Sequence, residues 1–183
     1  MNEKYQRFQY TAFSIENQTL LARGSNIMKL GVYSIGDPKS SWVREGESEY
    51  LKRIGHYTRF EVKSVKGEKV ISSRPEEEIR QTESKRLIEA VPQNAFLIAL
   101  DLGGKQLTSE ALAELIQNHQ NRSTQEMDFC IGGPLGLDAA IRKRADLVLS
   151  LSKMTLPHEL CRLVLLEQIY RAFTILRGEK YHK

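Results

Sequence analysis

From Met28 onward, short apolar runs alternate with longer amphipathic stretches, and this two-length rhythm limits the available folds more than any other feature. Lys29–Ile35 reads as a strand that breaks on Gly36-Asp37-Pro38. A helix is expected from about Ser41, with Trp42, Val43, Tyr50, Leu51 and Ile54 sharing a face and Arg44, Glu45, Glu47, Glu49, Lys52 and Arg53 facing water. Phe60–Val65 alternates only loosely, which suits a strand near an edge. Ser72 or Ser73 then opens a helix, with Glu76-Glu77-Glu78 complementing the dipole of its first turn. Ala95–Leu100 is the most continuous apolar run and reads as a central strand. Thr108 or Ser109 caps a helix to about Asn121, and Met127–Ile131 is a further strand. A short helix from Asp138 to about Arg144, a strand at Leu147–Leu151 and a last helix from near Thr155 to Leu176 complete the series. Strands alternating with helices predict an α/β domain, a parallel sheet with helices on both faces.

A chain of 183 residues, 40% hydrophobic and 27% charged, suits one compact domain with a sizeable core. Residues 1–27 are polar, without periodicity, and read as an N-terminal extension to a domain at 28–183. They are compatible with a true extension, a weak targeting segment, or translated upstream sequence with Met28 as the start. No stretch approaches the roughly 20 apolar residues that span a bilayer. Cys130 and Cys161, the two cysteines, form no disulfide framework or zinc pattern, so a soluble protein of a reducing cytoplasm is expected. The net charge of +4 is compatible with a polyanionic partner without requiring one.

Three loops follow predicted strands: Leu100–Lys105, Gly132–Gly136 and Leu151–His158. In an open parallel sheet, ligands bind beyond the carboxyl ends of the strands. Gly132, Gly133 and Gly136 allow close backbone approach, although a tight turn without a ligand explains them equally well. No Lys-Ser or Lys-Thr follows these glycines and their spacing is not Gly-x-Gly-x-x-Gly, which excludes two familiar phosphate-binding loops. Backbone groups with apolar walls from Leu100, Leu151, Met154 and Leu156 suit an adenosine cofactor without a polyphosphate. Asp101 and Asp138 are lone carboxylates that serve equally as turn or cap residues.

In the last helix Cys161, Leu165, Leu166, Ile169, Ala172, Phe173 and Leu176 sweep out a broad apolar arc, extended by Leu163 and Tyr170. So wide an arc predicts packing on the sheet and on a second surface, hence a homodimer. Arg162 falls inside the arc, either as a buried arginine paired to a carboxylate or snorkelling to an edge, or as a residue gripping RNA or shaping the active site. His56, His119, His158 and His182 lack metal-ligand spacing. His158 lies beside the third loop, where Thr155 can cap the helix and Pro157 suits its first turn. The terminal Tyr181-His182 pair either is solvated or folds back over a site.

Ile131-Gly132-Gly133-Pro134-Leu135-Gly136-Leu137, Leu151-Ser152-Lys153-Met154-Thr155-Leu156-Pro157-His158, Tyr170-Arg171-Ala172 and Tyr181-His182 together resemble the ribosomal large-subunit pseudouridine methyltransferase H family, a branch of the SPOUT methyltransferases. The resemblance covers residues 28–183. It implies a sheet whose C-terminal part forms a deep trefoil knot, an obligate homodimer, and S-adenosylmethionine as cofactor. It places Leu100, Gly132, Leu151, Ser152, Lys153, Met154, Thr155 and Leu156 at the cofactor, and on that basis Arg162, His158, Tyr181 and His182 are expected to shape the pocket for the target base at the dimer interface. It also implies methylation of N3 of a pseudouridine in large-subunit rRNA, on assembled ribosomes, with no metal and no membrane. Family members usually carry Glu where this chain has Leu135. The other readings are a non-catalytic ribosome- or RNA-binding protein on the same fold and a SPOUT enzyme acting on tRNA.

Overall fold

The computed structural model describes residues 28–182. The expected extension at residues 1–27 lies outside them. The elements run β1 (Lys29–Ile35), α1 (Ser41–Ile54), β2 (Phe60–Val65), α2 (Glu76–Ala90), β3 (Phe96–Gln106), α3 (Ser109–Asn121), β4 (Glu126–Ile131), α4 (Ala139–Arg144), β5 (Leu147–Ser150) and α5 (His158–Leu176). The strands form one parallel sheet in the order β2-β1-β4-β3-β5. Because parallel strands are covered on both faces, the central ones read as continuous apolar runs. Leu30, Val32, Ile98, Leu100, Phe129 and Ile131 face Leu112 and Ile116 of α3 and Leu165, Leu166 and Ile169 of α5. Tyr33, Ile35, Leu97, Ala99 and Cys130 pack on the other side with Leu87 of α2 and Ile141 of α4. The weakly alternating β2 is an edge strand, as expected.

Four local expectations are corrected. Strand β3 does not end at Leu100, since Leu149 of β5 pairs with Leu100 and again with Lys105, while residues 101–104 leave the ladder between. A Cβ on Gly104 would stand 2.6–2.8 Å from the Leu149 and Ser150 backbone, so only glycine permits this approach. Helix α2 starts at Glu76 behind Pro75, and α5 at His158 behind Pro157, so neither Ser72, Ser73 nor Thr155 is a cap. On α1 the buried face follows Val43, Glu47 and Ile54 in helical steps. Trp42 lies one residue off that face and is 58% exposed, whereas Glu47, expected in water, is 6% exposed.

Helix α5 runs between α1 and α3 as well as over the sheet. Those neighbours cover part of the arc for which the sequence alone suggested a second copy. Thr108 caps α3 through its side chain and Asp138 caps α4, its Oδ1 accepting the Ile141 N–H at 3.0 Å.

Asp128 is fully buried on β4, and neither of its oxygens has a hydrogen-bond partner. Its Oδ1 occupies the space that a Cβ on Gly31 would need, at 2.3 Å. Burial, with the nearby Glu126 charge, pushes its carboxyl up to about 7. The folded protein therefore keeps this proton to near neutrality, while the unfolded chain releases it near pH 4. Through that window the native state binds more protons, so this group's contribution to stability falls as pH rises and is least favourable above 7. Asp128→Asn is expected to raise the melting temperature at pH 8 relative to the parent and to flatten the decline between pH 5 and 8. Parallel melting curves of both proteins check this; an unchanged decline contradicts it.

Candidate functional site

The connections leaving β1 and β4, neighbours in the sheet, run to opposite sides, making the crevice at their carboxyl ends a topological switch point. Leu100 lies next to it, paired with Ile131 of β4 and Leu149 of β5, so the loops that start at Gly132 and Leu151 flank the end of β3. The Gly132–Gly136 loop closes on itself: the Gly136 N–H donates to the Gly133 carbonyl at 2.9 Å, and Gly136 has φ +79°. A Cβ on Gly132 would meet the Gly136 carbonyl carbon at 2.6 Å, whereas one on Gly136 would point into open space. The loop is tight within and bare at its mouth.

The segment 151–157 has farther to go than a simple strand-to-helix turn. It leaves β5 at one edge and delivers His158 to a cleft also lined by Ser34, Ile35, Gly36, Pro38, Glu159 and Arg162, at the end of β1. That is three strand spacings, about 14 Å, across the ends of β3 and β4. The segment is therefore a strap over those ends. Ser150 and Ser152 shape its start: the Ser150 hydroxyl donates to the Ser152 carbonyl at 2.8 Å, and the Ser152 hydroxyl accepts the Met154 N–H at 2.9 Å. Lys153, Met154 and Thr155 are exposed, while Leu151, Ser152 and Leu156 are half-buried. An uncovered methionine beside leucine walls and bare glycine backbone suits an uncharged adenine and ribose better than a polyphosphate.

Arg162 is buried in the first turns of α5. Its Nε and Nη2 donate to the two carboxylate oxygens of Glu47, and Nη1 donates to the hydroxyls of Ser34 and Ser64 at 2.7 and 3.2 Å. One guanidinium thus joins α5 to α1, β1 and β2. Glu159 adds a second tie, its carboxylate accepting the Lys39 and Ser40 N–H groups ahead of α1 at 3.0 and 3.3 Å. Glu47 was legible in retrospect, because it stands at helical spacing between Val43 and Ile54.

Glu83 of α2 was missed. It is 2% exposed; its Oε1 accepts the Glu68 N–H at 2.8 Å, and its Oε2, without a partner, lies where a Cβ on Gly133 would come within 2.8 Å. Burial raises its carboxyl above the ordinary range. Its neighbour Ser84 accepts the Asp138 N–H at 3.0 Å, so α2 backs the glycine loop from both ends. A lone charged residue in a strongly charged helix carries no periodic signal that would have singled it out.

Tyr181 and His182 are not brought to this crevice within one chain. The Tyr181 hydroxyl donates to Glu167 at 3.2 Å, its ring packs on Tyr170 and Arg171, and His182 Nε2 stands 2.7 Å from Glu110. They fold back along α5 to the level of Glu167 and Tyr170, nine to twelve residues on from His158 and about 14–18 Å away along the helix axis. Among the described residues no cluster of His, Cys, Asp or Glu could hold a metal ion, and no helix is long and apolar enough to cross a membrane.

Removing one partner of a buried, bidentate pair strands the other's charge. Arg162→Ala and Glu47→Ala are each expected to destabilise the fold by about 3–5 kcal/mol, and Arg162→Met with Glu47→Leu by much less than the sum. Denaturant titrations of the three variants test this, and additive losses contradict it.

The family described as "Predicted SPOUT methyltransferase" matches residues 28–182. A protein of Desulfotalea psychrophila named Ribosomal RNA large subunit methyltransferase H is 47% identical over 160 residues, 85% of this chain and 100% of the relative. A Bifidobacterium adolescentis protein of the same name is 45% identical over 159 residues, again 85% of this chain and all of the relative. A probable methyltransferase from Bordetella pertussis Tohama I, of known structure, shares the fold at a TM-score of 0.52 and 14% identity, over 81% of this chain and 98% of that one. A glycine loop and a strap at the carboxyl ends of a parallel sheet, with a match over every described residue, place the chain in the SPOUT methyltransferase family.

Proposed function

We propose that this protein is an S-adenosylmethionine-dependent methyltransferase that acts on N3 of a pseudouridine in large-subunit rRNA, on assembled ribosomes in the cytoplasm, as a homodimer. The observation that carries the reading is the identity of nearly half over the full length of relatives named for large-subunit rRNA methylation. The domain is residues 28–183, and the match to the SPOUT methyltransferases over its length supports a deep trefoil knot at its C-terminal part.

In this reading Leu100, Gly132 and the strap residues Leu151, Ser152, Lys153, Met154, Thr155 and Leu156 hold the cofactor, with backbone groups for its polar edges and side chains for its walls. When bound, S-adenosylmethionine supplies a sulfonium-activated methyl group, so the protein has mainly to align that carbon with the ring nitrogen and accommodate the departing N3 proton. His158 shapes the pocket for the target base at the switch-point crevice. Arg162, buried against Glu47, contributes by positioning: it holds the turn that carries His158. Tyr181 and His182 close the pocket from a partner. A twofold pairing that sets two α5 helices antiparallel brings each tail to the other's His158 end, which one chain alone does not achieve.

Labelled methyl transfer to ribosomes lacking the modification, with free rRNA and tRNA in parallel, is expected for ribosomes alone. No transfer to any substrate, together with no cofactor binding, overturns the enzyme reading. Shared sites are tested by mixing. A His158→Ala chain and a Tyr181→Ala, His182→Ala chain, each inactive alone, are expected to recover about a quarter of parent activity when randomly re-associated, since half the dimers then hold one intact site. No recovery contradicts sharing.

A further inference from the structure

The five large apolar side chains that stand exposed among the described residues are Trp42 (58%), Val70 (54%), Ile71 (50%), Leu102 (54%) and Met154 (74%). Every one lies where the chain leaves the carboxyl end of a strand. Val70 and Ile71 follow β2, Trp42 is in the first turn after β1, Leu102 is in the excursion of β3, and Met154 is in the strap after β5. In the order of the sheet they stand on both sides of the glycine loop that follows β4. The connections at the amino ends of the strands, residues 55–59, 91–95, 122–125 and 145–146, carry none. Exposed apolar groups gathered at one end mark an interaction surface.

The charges around them indicate what it meets. Lys39, Lys66, Lys69, Lys105 and Lys153 are exposed on the same connections. The carboxylates there are mostly held: Glu68 by Arg74 and Arg86, Asp101 by Arg142, and in the first turn of α2 Glu77 by Arg80 and Glu78 by Arg74, leaving Asp37 and Glu76 against five lysines. A second copy is a poor occupant of the whole rim, because a twofold interface centred on it would gather five exposed lysines from each copy, and lysine is depleted in interface cores; the partner of the α5 pairing reaches only the His158 edge. An unpaired stretch of RNA fits both features. Its phosphates take the lysines and its bases present flat faces to an aromatic ring.

We propose that this rim is the RNA-docking surface and that Trp42 stacks on an unpaired base of the substrate beside the target nucleotide. The inference rests on the rRNA reading above but not on the identity of the methylated atom. Trp42 stands in the first turn after β1, two residues on from the Ser40 N–H that Glu159 holds where the strap ends, so a base flanking the one in the crevice would pass beside it.

Trp42 is the one tryptophan of the chain, so the emission of the unaltered protein reports on it directly. Titration with protein-free large-subunit rRNA, binding being followed separately by filter retention, is expected to quench that emission saturably, with midpoints that move to higher RNA as salt rises. Trp42→Ala is expected to raise the KM for ribosomes roughly tenfold with little change in kcat or cofactor affinity, and Trp42→Phe to restore most of it. RNA bound with unchanged emission, or no binding of the protein-free rRNA, overturns the proposal; the rRNA reading itself stands or falls by methyl transfer to ribosomes. Emission that shifts to the blue with protein concentration alone, or a Trp42→Ala protein that falls to monomers, assigns the surface to a second copy and overturns it as well.

Discussion

The contact on which the site depends is the buried ion pair between Arg162 and Glu47. Desolvating two charges is costly, and the cost is offset only when geometry is good and further hydrogen bonds satisfy what remains. Both conditions hold here, with a two-pronged contact to the carboxylate and two serine hydroxyls on the third nitrogen. Few apolar arrangements would specify so much. The guanidinium can be satisfied only if α1, β1, β2 and α5 are all in register, and α5 in register is what draws the strap taut over the glycine loop. The pair is thus better understood as a selector of one arrangement than as a source of stability.

Much of the scaffold was legible because its cause is local. Parallel strands buried on both faces are short apolar runs, and β1, β2, β4 and β5 fall within a residue of where such runs stand. Caps at Thr108 and Asp138 follow from side chains that reach their own backbone. The failures share a tertiary cause. Nothing local indicates that Lys105 and Gln106 pair with β5 after a four-residue excursion, since two glycines in sequence read as a turn. Trp42 and Glu47 were exchanged because polarity was taken as a guide to exposure, and the position of Arg162 across the interface overrode it.

The candidate site divides in the same way. Its loops could be chosen from glycine content and strand ends alone, while their roles rested on resemblance. Glu83 was invisible until packing set its carboxylate against Gly133. The tail residues present the opposite case: their place is set by contacts with Glu167, Tyr170 and Arg171 midway along α5 and with Glu110 of α3, which no motif encodes.

The double use of Leu149, paired with Leu100 and again with Lys105, joins edge and site into a single mechanical unit. Strand β5 cannot peel from the sheet without releasing the β3 excursion, and the strap that starts at Leu151 loses its anchor in the same movement. Opening of the edge and dissolution of the loops are therefore one cooperative event in native-state fluctuation. A ligand held under the strap would slow hydrogen exchange not only in the loops that touch it but along an edge strand that it never meets.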